Sequence, residues 1–114
     1  MAERSAVANK LHPQYISVSW TGLLNTDTGS GFDAEDMADR TVQVFGTFST
    51  GGAMTFQGSN DGTNWFTLTD TVGAAIVLTA AGGKVVAEAP RFVRPNITAG
   101  DGSTNLSVLM VARR

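Results

Sequence analysis

Ser59-Asn60-Asp61-Gly62-Thr63-Asn64-Trp65 decides the fold of this chain. The stretch stands between two alternating segments, Met54-Thr55-Phe56-Gln57 and Phe66-Thr67-Leu68-Thr69. Asn and Asp tolerate a positive φ, and Gly adopts one at no steric cost. Asp61-Gly62 is therefore read as the tip of a β-hairpin. The alternation on either side supplies its two strands, because successive side chains of a strand point to opposite faces.

The pattern continues outward in both directions. From Gln14, Ile16, Val18 and Trp20 face one way and Ser17, Ser19 and Thr21 the other, which predicts a half-buried strand. Asn25 to Ser30 is a polar turn. Thr41 to Phe48 predicts a strand with Val42, Val44 and Phe48 on one face, and Gly46 inside it signals a bulge or a close neighbour. Ala53–Gly58 and Trp65–Thr69 are the hairpin arms. Ala75–Thr79, a Gly82-Gly83 turn and Lys84–Ala89 follow. Pro90 and Pro95 bracket Arg91–Arg94, so this segment is expected as an edge strand or a broken one. After a Gly100-Asp101-Gly102 turn, Thr104 to Ala112 closes the chain with Leu106, Val108, Met110 and Ala112 on one side.

The remaining segments are less periodic. Asp33 to Arg40 is acidic and reads as a long connection, with one helical turn capped by Asp33. Residues 1–13 show no strong period and are expected as an extended N-terminal arm, leaving residues 14–114 as the folded domain. Roughly seven or eight short strands with glycine turns predict an all-β fold, an antiparallel β-sandwich of jelly-roll type.

Composition bounds the function. A chain of 114 residues is one domain with enough surface to bury a single core. Its net charge of −2 provides no field to attract nucleic acid or an anionic membrane, and neither is expected as a partner. It has no cysteine, which excludes disulfides, thiolate nucleophiles and sulfur-ligated zinc. The first residues lack the apolar run of a signal peptide, so synthesis and folding in a cytoplasm are expected.

Nothing in the sequence assembles a catalytic set. The sole histidine, His12, lies in the expected arm, where no rigid partners hold it as a triad requires. Asp33, Glu35, Asp36 and Asp39 form an acidic loop without a signal for raised pKa, and it is read as solvated. Calcium prefers such oxygens, yet the loop lacks the Asp-x-Asp-x-Asp-Gly pattern of an EF-hand, so cation binding stays open. The glycine pairs are not followed by a helix with a lysine and are turns rather than phosphate loops. No catalytic residue, metal ligand or cofactor is assigned. Asn96-Ile97-Thr98 and Asn105-Leu106-Ser107 match glycosylation sequons, but both fall in or beside predicted strands and are read as chance.

Binding is better supported than catalysis. Phe45, Trp65, Val77, Val86, Leu109 and Val111 fall on the faces opposite the predicted core. Either loops and the second sheet cover them, or another subunit or partner does. Lys84, Arg91, Arg94, Arg113 and Arg114 cluster late in the chain. Arg91 and Arg94 serve either to protect a sheet edge or to bind an acidic patch on a partner. Arg91, Arg94, Phe45, Trp65, His12 and Leu11 are the candidate partner-binding residues.

Gln57-Gly58-Ser59-Asn60-Asp61-Gly62-Thr63-Asn64-Trp65 resembles a hairpin frequent in discoidin-type carbohydrate-binding sandwiches. That likeness covers a turn device and brings no sugar-binding loops with it. A second resemblance spans residues 41–114: Val-Gln-Val-x-Gly-Thr-Phe, the hairpin, Pro-Arg-Phe-Val-Arg-Pro and the last Gly-Asp-Gly turn. In that order they are similar to small structural proteins of tailed bacteriophages that resemble capsid decoration or cement proteins. The resemblance implies a non-enzymatic virion protein on the capsid exterior, assembled in the host cytoplasm. Its implied partners are the major capsid protein and further copies of itself, in a homo-oligomer such as a trimer. A carbohydrate-binding module and a phage tail or connector protein are the alternatives.

Overall fold

Strands form where the alternation places them. The computed structural model describes residues 3–12 and 14–113, the side chains of residues 10–12 excepted. Among these residues the strands are β1 (Glu3–Arg4), β2 (Val7–His12), β3 (Tyr15–Leu24), β4 (Thr28–Gly29), β5 (Phe32–Asp33) and β6 (Ala38–Thr47). They continue with β7 (Ala53–Ser59), β8 (Phe66–Thr67), β9 (Val77–Leu78), β10 (Gly82–Val85), β11 (Phe92–Ala99) and β12 (Asn105–Arg113). No helix occurs among the described residues. Seven of these strands are four residues or longer and five are two-residue pieces. The former carry the sandwich.

Two sheets face each other. Sheet A runs β1-β4-β11-β7-β8, with β5 also paired to β11 and β9 to β7; sheet B runs β10-β6-β12-β3-β2. Every pairing is antiparallel except β1 with β4. Val18, Trp20, Val42, Val44, Leu106, Val108 and Met110 from sheet B meet Met54, Phe56, Val93 and Ile97 from sheet A, and all are buried. Each such side chain contributes roughly 1.5–3 kcal/mol by leaving water. Trp20 and Phe56 pack edge to face with centroids 6.3 Å apart, and the Trp20 indole N–H donates to the Ser30 carbonyl at 2.9 Å.

The expected hairpin is β7–β8, with Gln57 opposite Thr67 and Gly58 opposite Phe66. Gly46 has φ +124° inside β6, and a Cβ there would lie 2.6 Å from the Asn105 carbonyl oxygen. The close-neighbour reading of that glycine therefore applies.

Several expectations need correction. The segment Arg91–Arg94 is neither edge nor broken: β11 lies inside sheet A, with β7 along one side and β4 and β5 on the other. The Ile97 N–H donates to the Asp27 carbonyl at 2.9 Å. By the two-residue period an N–H at position 95 would point to that same side. There the neighbouring chain is interrupted between Gly29 and Phe32, so Pro95 removes no ladder bond.

No helical turn forms over residues 33–40. Asp33 belongs to β5, its Oδ1 accepts the Glu35 N–H at 3.2 Å, and β6 begins at Ala38. Gly82-Gly83 is strand rather than turn, because the reversal lies just before it at residues 79–81. Val86 is buried in the core instead of facing away from it.

The N-terminal segment is extended, but it is not a free arm. β1 joins sheet A through β4, and β2 joins sheet B through β3, with Val7 opposite Ser19 and Asn9 opposite Ser17. Arg4 Nε donates to Asp27 Oδ2 at 3.0 Å, and the Ala6 N–H donates to Ser30 Oγ at 2.9 Å. Residues 3–12 thus strap the two sheets together.

Arg40 is only 2 % exposed, and its hydrogen-bond partners among the described residues are main-chain carbonyls. Its Nη1 donates to the Pro90 carbonyl at 2.7 Å; its Nη2 donates to those of Ala34 at 2.8 Å and Met37 at 3.1 Å. Nε has no partner among the described residues. Burial pushes the guanidinium pKa below its ordinary value. Replacing Arg40 by Met keeps much of the volume but leaves these carbonyls short of donors. The expected loss is about 2–4 kcal/mol, since each unmet buried group costs roughly 1–3. Urea unfolding measures it, and a change below about 0.5 kcal/mol would refute the clamp.

Candidate interaction surface

The two outer faces of the sandwich differ in chemistry. Pairing partners share a face, so the outer side of sheet A carries Thr28, Asn96 and Thr55, then Arg94 and Gln57, then Phe92 and Ser59. These residues bond to one another. Thr28 Oγ1 donates to Asn96 Oδ1 at 3.2 Å, Thr55 and Thr98 share a hydroxyl bond at 3.4 Å, and Arg94 Nε donates to Gln57 Oε1 at 2.9 Å.

The 60–65 loop folds over part of this face. The Arg94 guanidinium lies 4.0 Å from the Trp65 ring centroid, a contact worth about 0.5–2 kcal/mol. The rim of the indole runs beside Gly31, where a Cβ would come within 2.9 Å of it. Trp65 is half-buried, with a face occupied by Arg94. Burial lowers the Arg94 pKa, partly opposed by Glu3. Arg91 is exposed and engaged as well: it pairs with Asp33 at 3.0 Å and Glu35 at 3.6 Å and sits 4.9 Å from the Phe92 centroid.

The loop itself is built around Asp61. Oδ1 accepts the N–H groups of Thr63 and Asn64, each at 2.8 Å, and the Ser59 hydroxyl at 2.9 Å. Oδ2 accepts from the Asn64 amide at 2.8 Å. Ser59 Oγ in turn accepts the Gly62 N–H at 2.8 Å, and Gly62 takes φ +78°. The motif is therefore a self-contained turn whose polar groups face inward to each other.

Sheet B presents the opposite character. One cross-strand row on its outer face is Val7, Ser19, Leu109, Gln43 and Gly83; the next is Asn9, Ser17, Val111, Thr41 and Val85. Neither row contains a charged residue. Phe45, paired with Ser107, continues the face and is 45 % exposed; Val7 and Val85 are 55 % and 50 % exposed. A shallow cavity of about 330 Å³ lies between Leu109 and Val111 on one side and Gly82 and Gly83 on the other. Among the described residues, charge on this face appears at one end, where Arg113 pairs with Asp39.

The six sequence-nominated residues do not form one site. Arg91, Arg94 and Trp65 gather on the sheet A side, while Phe45 stands on the outer face of sheet B. His12 and Leu11 lie in β2 at the edge of sheet B, and their side chains fall outside the described residues. Leu109 and Val111 are on the outer face their alternation required. Val7, Val85 and the Gly82-Gly83 floor were not singled out from sequence. Of the acidic loop, Asp33 and Glu35 pair with Arg91, and Asp39 with Arg113. Among the described residues no group of three or more His, Asp or Glu is arranged to hold a metal.

No family model matches the chain, and no curated protein matches it. Among solved structures it is similar to the SPBc2 prophage-derived protein YomS. The TM-score is 0.65 over 93 % of this chain and 100 % of that one, at 16 % identity. It is also similar to a cupin domain, bp2299 of Bordetella pertussis Tohama I. There the TM-score is 0.50 over 100 % of this chain and 98 % of that one, at 10 % identity. Cupins are double-sheet jelly rolls. The likeness shows the same β-sandwich fold.

The carboxylates of the turns make stability pH-dependent. Asn64, through its main-chain and then its side-chain N–H, holds the Asp61 carboxyl far below the ordinary 3.8. Arg91 lowers Asp33 from the same value. A carboxylate with a depressed folded pKa stabilises above its unfolded pKa and loses that contribution as pH falls through the folded one. The melting temperature should stay nearly level from about pH 7 to 5 and drop below about pH 4. Asp61→Asn should melt lower at neutral pH and show a shallower acid decline. A variant matching the parent at both pH values would show that the Asp61 network does not support the fold.

Proposed function

We propose that this chain is a non-enzymatic structural protein of a bacteriophage particle, one that decorates the capsid and braces it by bridging subunits. The observation that carries the reading is the chemical asymmetry of the sandwich. One outer face is tied up in its own polar ladder, while the other has two central rows without charge and sets Val7, Phe45, Val85, Leu109 and Val111 among neutral Ser, Thr, Asn and Gln side chains. Monomers seldom leave such a face in water. The prophage origin of YomS, whose fold this chain shares over almost its full length, supports the phage context. So does the resemblance of residues 41–114 to phage head proteins.

The mechanism is passive. A copy seated across a joint between capsid subunits adds buried area that must be exposed before the shell opens. Many copies act together, so modest affinity per copy suffices. Exposed Arg91, already between two carboxylates, can exchange Asp33 or Glu35 for a carboxylate of the capsid protein at small cost, because surface ion pairs are worth roughly 0–1 kcal/mol. A tail or connector position would use the same surfaces.

The carbohydrate-binding alternative is disfavoured by Trp65. Sugar stacking needs an open aromatic face, and this half-buried ring already has one face taken by Arg94 and its rim beside Gly31.

Heads of the encoding phage assembled without this protein, mixed with purified chain and pelleted, test the reading. Saturable co-sedimentation and greater resistance of the shell to heat are expected. Chain that stays in the supernatant at every concentration would sink it.

A further inference from the structure

We propose that the outer face of sheet B is a self-association surface, on which a second copy of this chain packs sheet against sheet about a two-fold axis. This rests on the structural-protein reading above and names the surface by which copies meet.

The first observation is charge. The two central rows of the face hold no Asp, Glu, Lys or Arg, and the Arg113–Asp39 pair stands at one end. A charge-depleted centre in which Val7, Leu109, Val111 and Val85 stand among neutral polar side chains, with charge at the rim, matches the depletion of charged residues at the core of protein interfaces. A nucleic acid or acidic peptide would find no cation there.

The second observation is relief. Leu109, Val111, Thr41 and Gln43 border a depression of about 330 Å³ closed by Gly82 and Gly83. Phe45, Val7 and Val85 project around it, between 45 % and 55 % exposed. Knobs and a hollow on the same face are what an isologous contact requires. In a two-fold pair, residue i of one copy meets j of the other, and j meets i. Two sheets stacked this way sit about 10 Å apart with interdigitated side chains.

The third observation is area. β3 and β6 have ten residues each, β12 nine, β2 six and β10 four. At about 3.4 Å per residue and 4.8 Å between strands, their face projects to roughly 600 Å² per copy. Two copies would bury on the order of 1,200 Å², the lower edge of specific stable interfaces. A micromolar dimer fits that size, and a lattice of copies needs no more.

Sedimentation equilibrium of the purified chain tests the proposal, with Val85→Glu and Leu109→Glu as face variants and Arg94→Ala as the opposite-face control. The parent and Arg94→Ala should dimerise with a Kd of roughly micromolar order. Val85→Glu should raise that Kd at least about 100-fold with little change in melting temperature, since Val85 is half-exposed at an edge strand. Should Leu109→Glu fail to fold, Phe45→Lys replaces it. A parent that remains monomeric near millimolar concentration overturns the proposal. So does a folded face variant that dimerises like the parent. Capsid co-sedimentation of the monomeric variant separates the two readings. Binding without dimers leaves the virion role standing alone, and dimers without capsid binding leave the interface standing alone.

Discussion

A buried arginine held by main-chain carbonyls governs one end of this sandwich. Arg40 enters β6 directly behind Asp39, whose φ is +47°, and its guanidinium reaches main-chain carbonyls of two separate segments. Ala34 and Met37 belong to the crossing from sheet A to sheet B, and Pro90 precedes β11. One side chain therefore fastens both where the chain leaves sheet A after β5 and where it re-enters the interior of that sheet at β11. The planar fork of arginine suits this, since a lysine ammonium is a single point on a flexible stem. The charge loses hydration on burial, and carbonyl dipoles offset part of that loss. The outer Arg91 pairs with Asp33 and Glu35 are exposed and add only a small increment to this inner fastening.

The parts of the fold legible in sequence are those with one wet and one dry face. β3, β6, β7 and β12 alternate cleanly because each contributes its inner residues to the core. The hairpin was legible through turn chemistry, and the Ser59 and Asp61 bonds show why those residue types are used. β2 was not legible: Val7, Ala8 and Asn9 are all exposed, so an edge strand with water on both faces shows no alternation. β11 was masked by Pro95, whose effect depends on a gap in the neighbouring strand that no local pattern reveals. Arg40 reads as a surface cation in any sequence window, because its partners are carbonyls from six and fifty residues away.

The candidate surface was half legible for a related reason. Leu109 and Val111 betrayed a strand apolar on both sides, which implies cover on both sides. What lies beside them depends on register. Gly83 and Val85 join the face only because β10 pairs with β6 so that Gly83 meets Gln43 and Val85 meets Thr41. Trp65 shows the converse. An aromatic beside a polar loop looks like a ligand platform, yet the fold places Arg94 over its ring and Gly31 beside its rim.

The edges of sheet B bear on which surface associates. An open edge is a template for pairing with another chain, and β2 and β10 are both open. β10 is only four residues long, and its Lys84 ammonium is drawn to Asp70 at 3.3 Å. β2 carries a register irregularity between Lys10 and His12. Shortness, lysine and bulges are the features that discourage edge-to-edge growth, which would otherwise run on as an open fibre. The broad face between these edges has no such deterrent. A closed, face-to-face contact is thus what the sheet permits, and it would leave the arginine-bearing side of sheet A exposed.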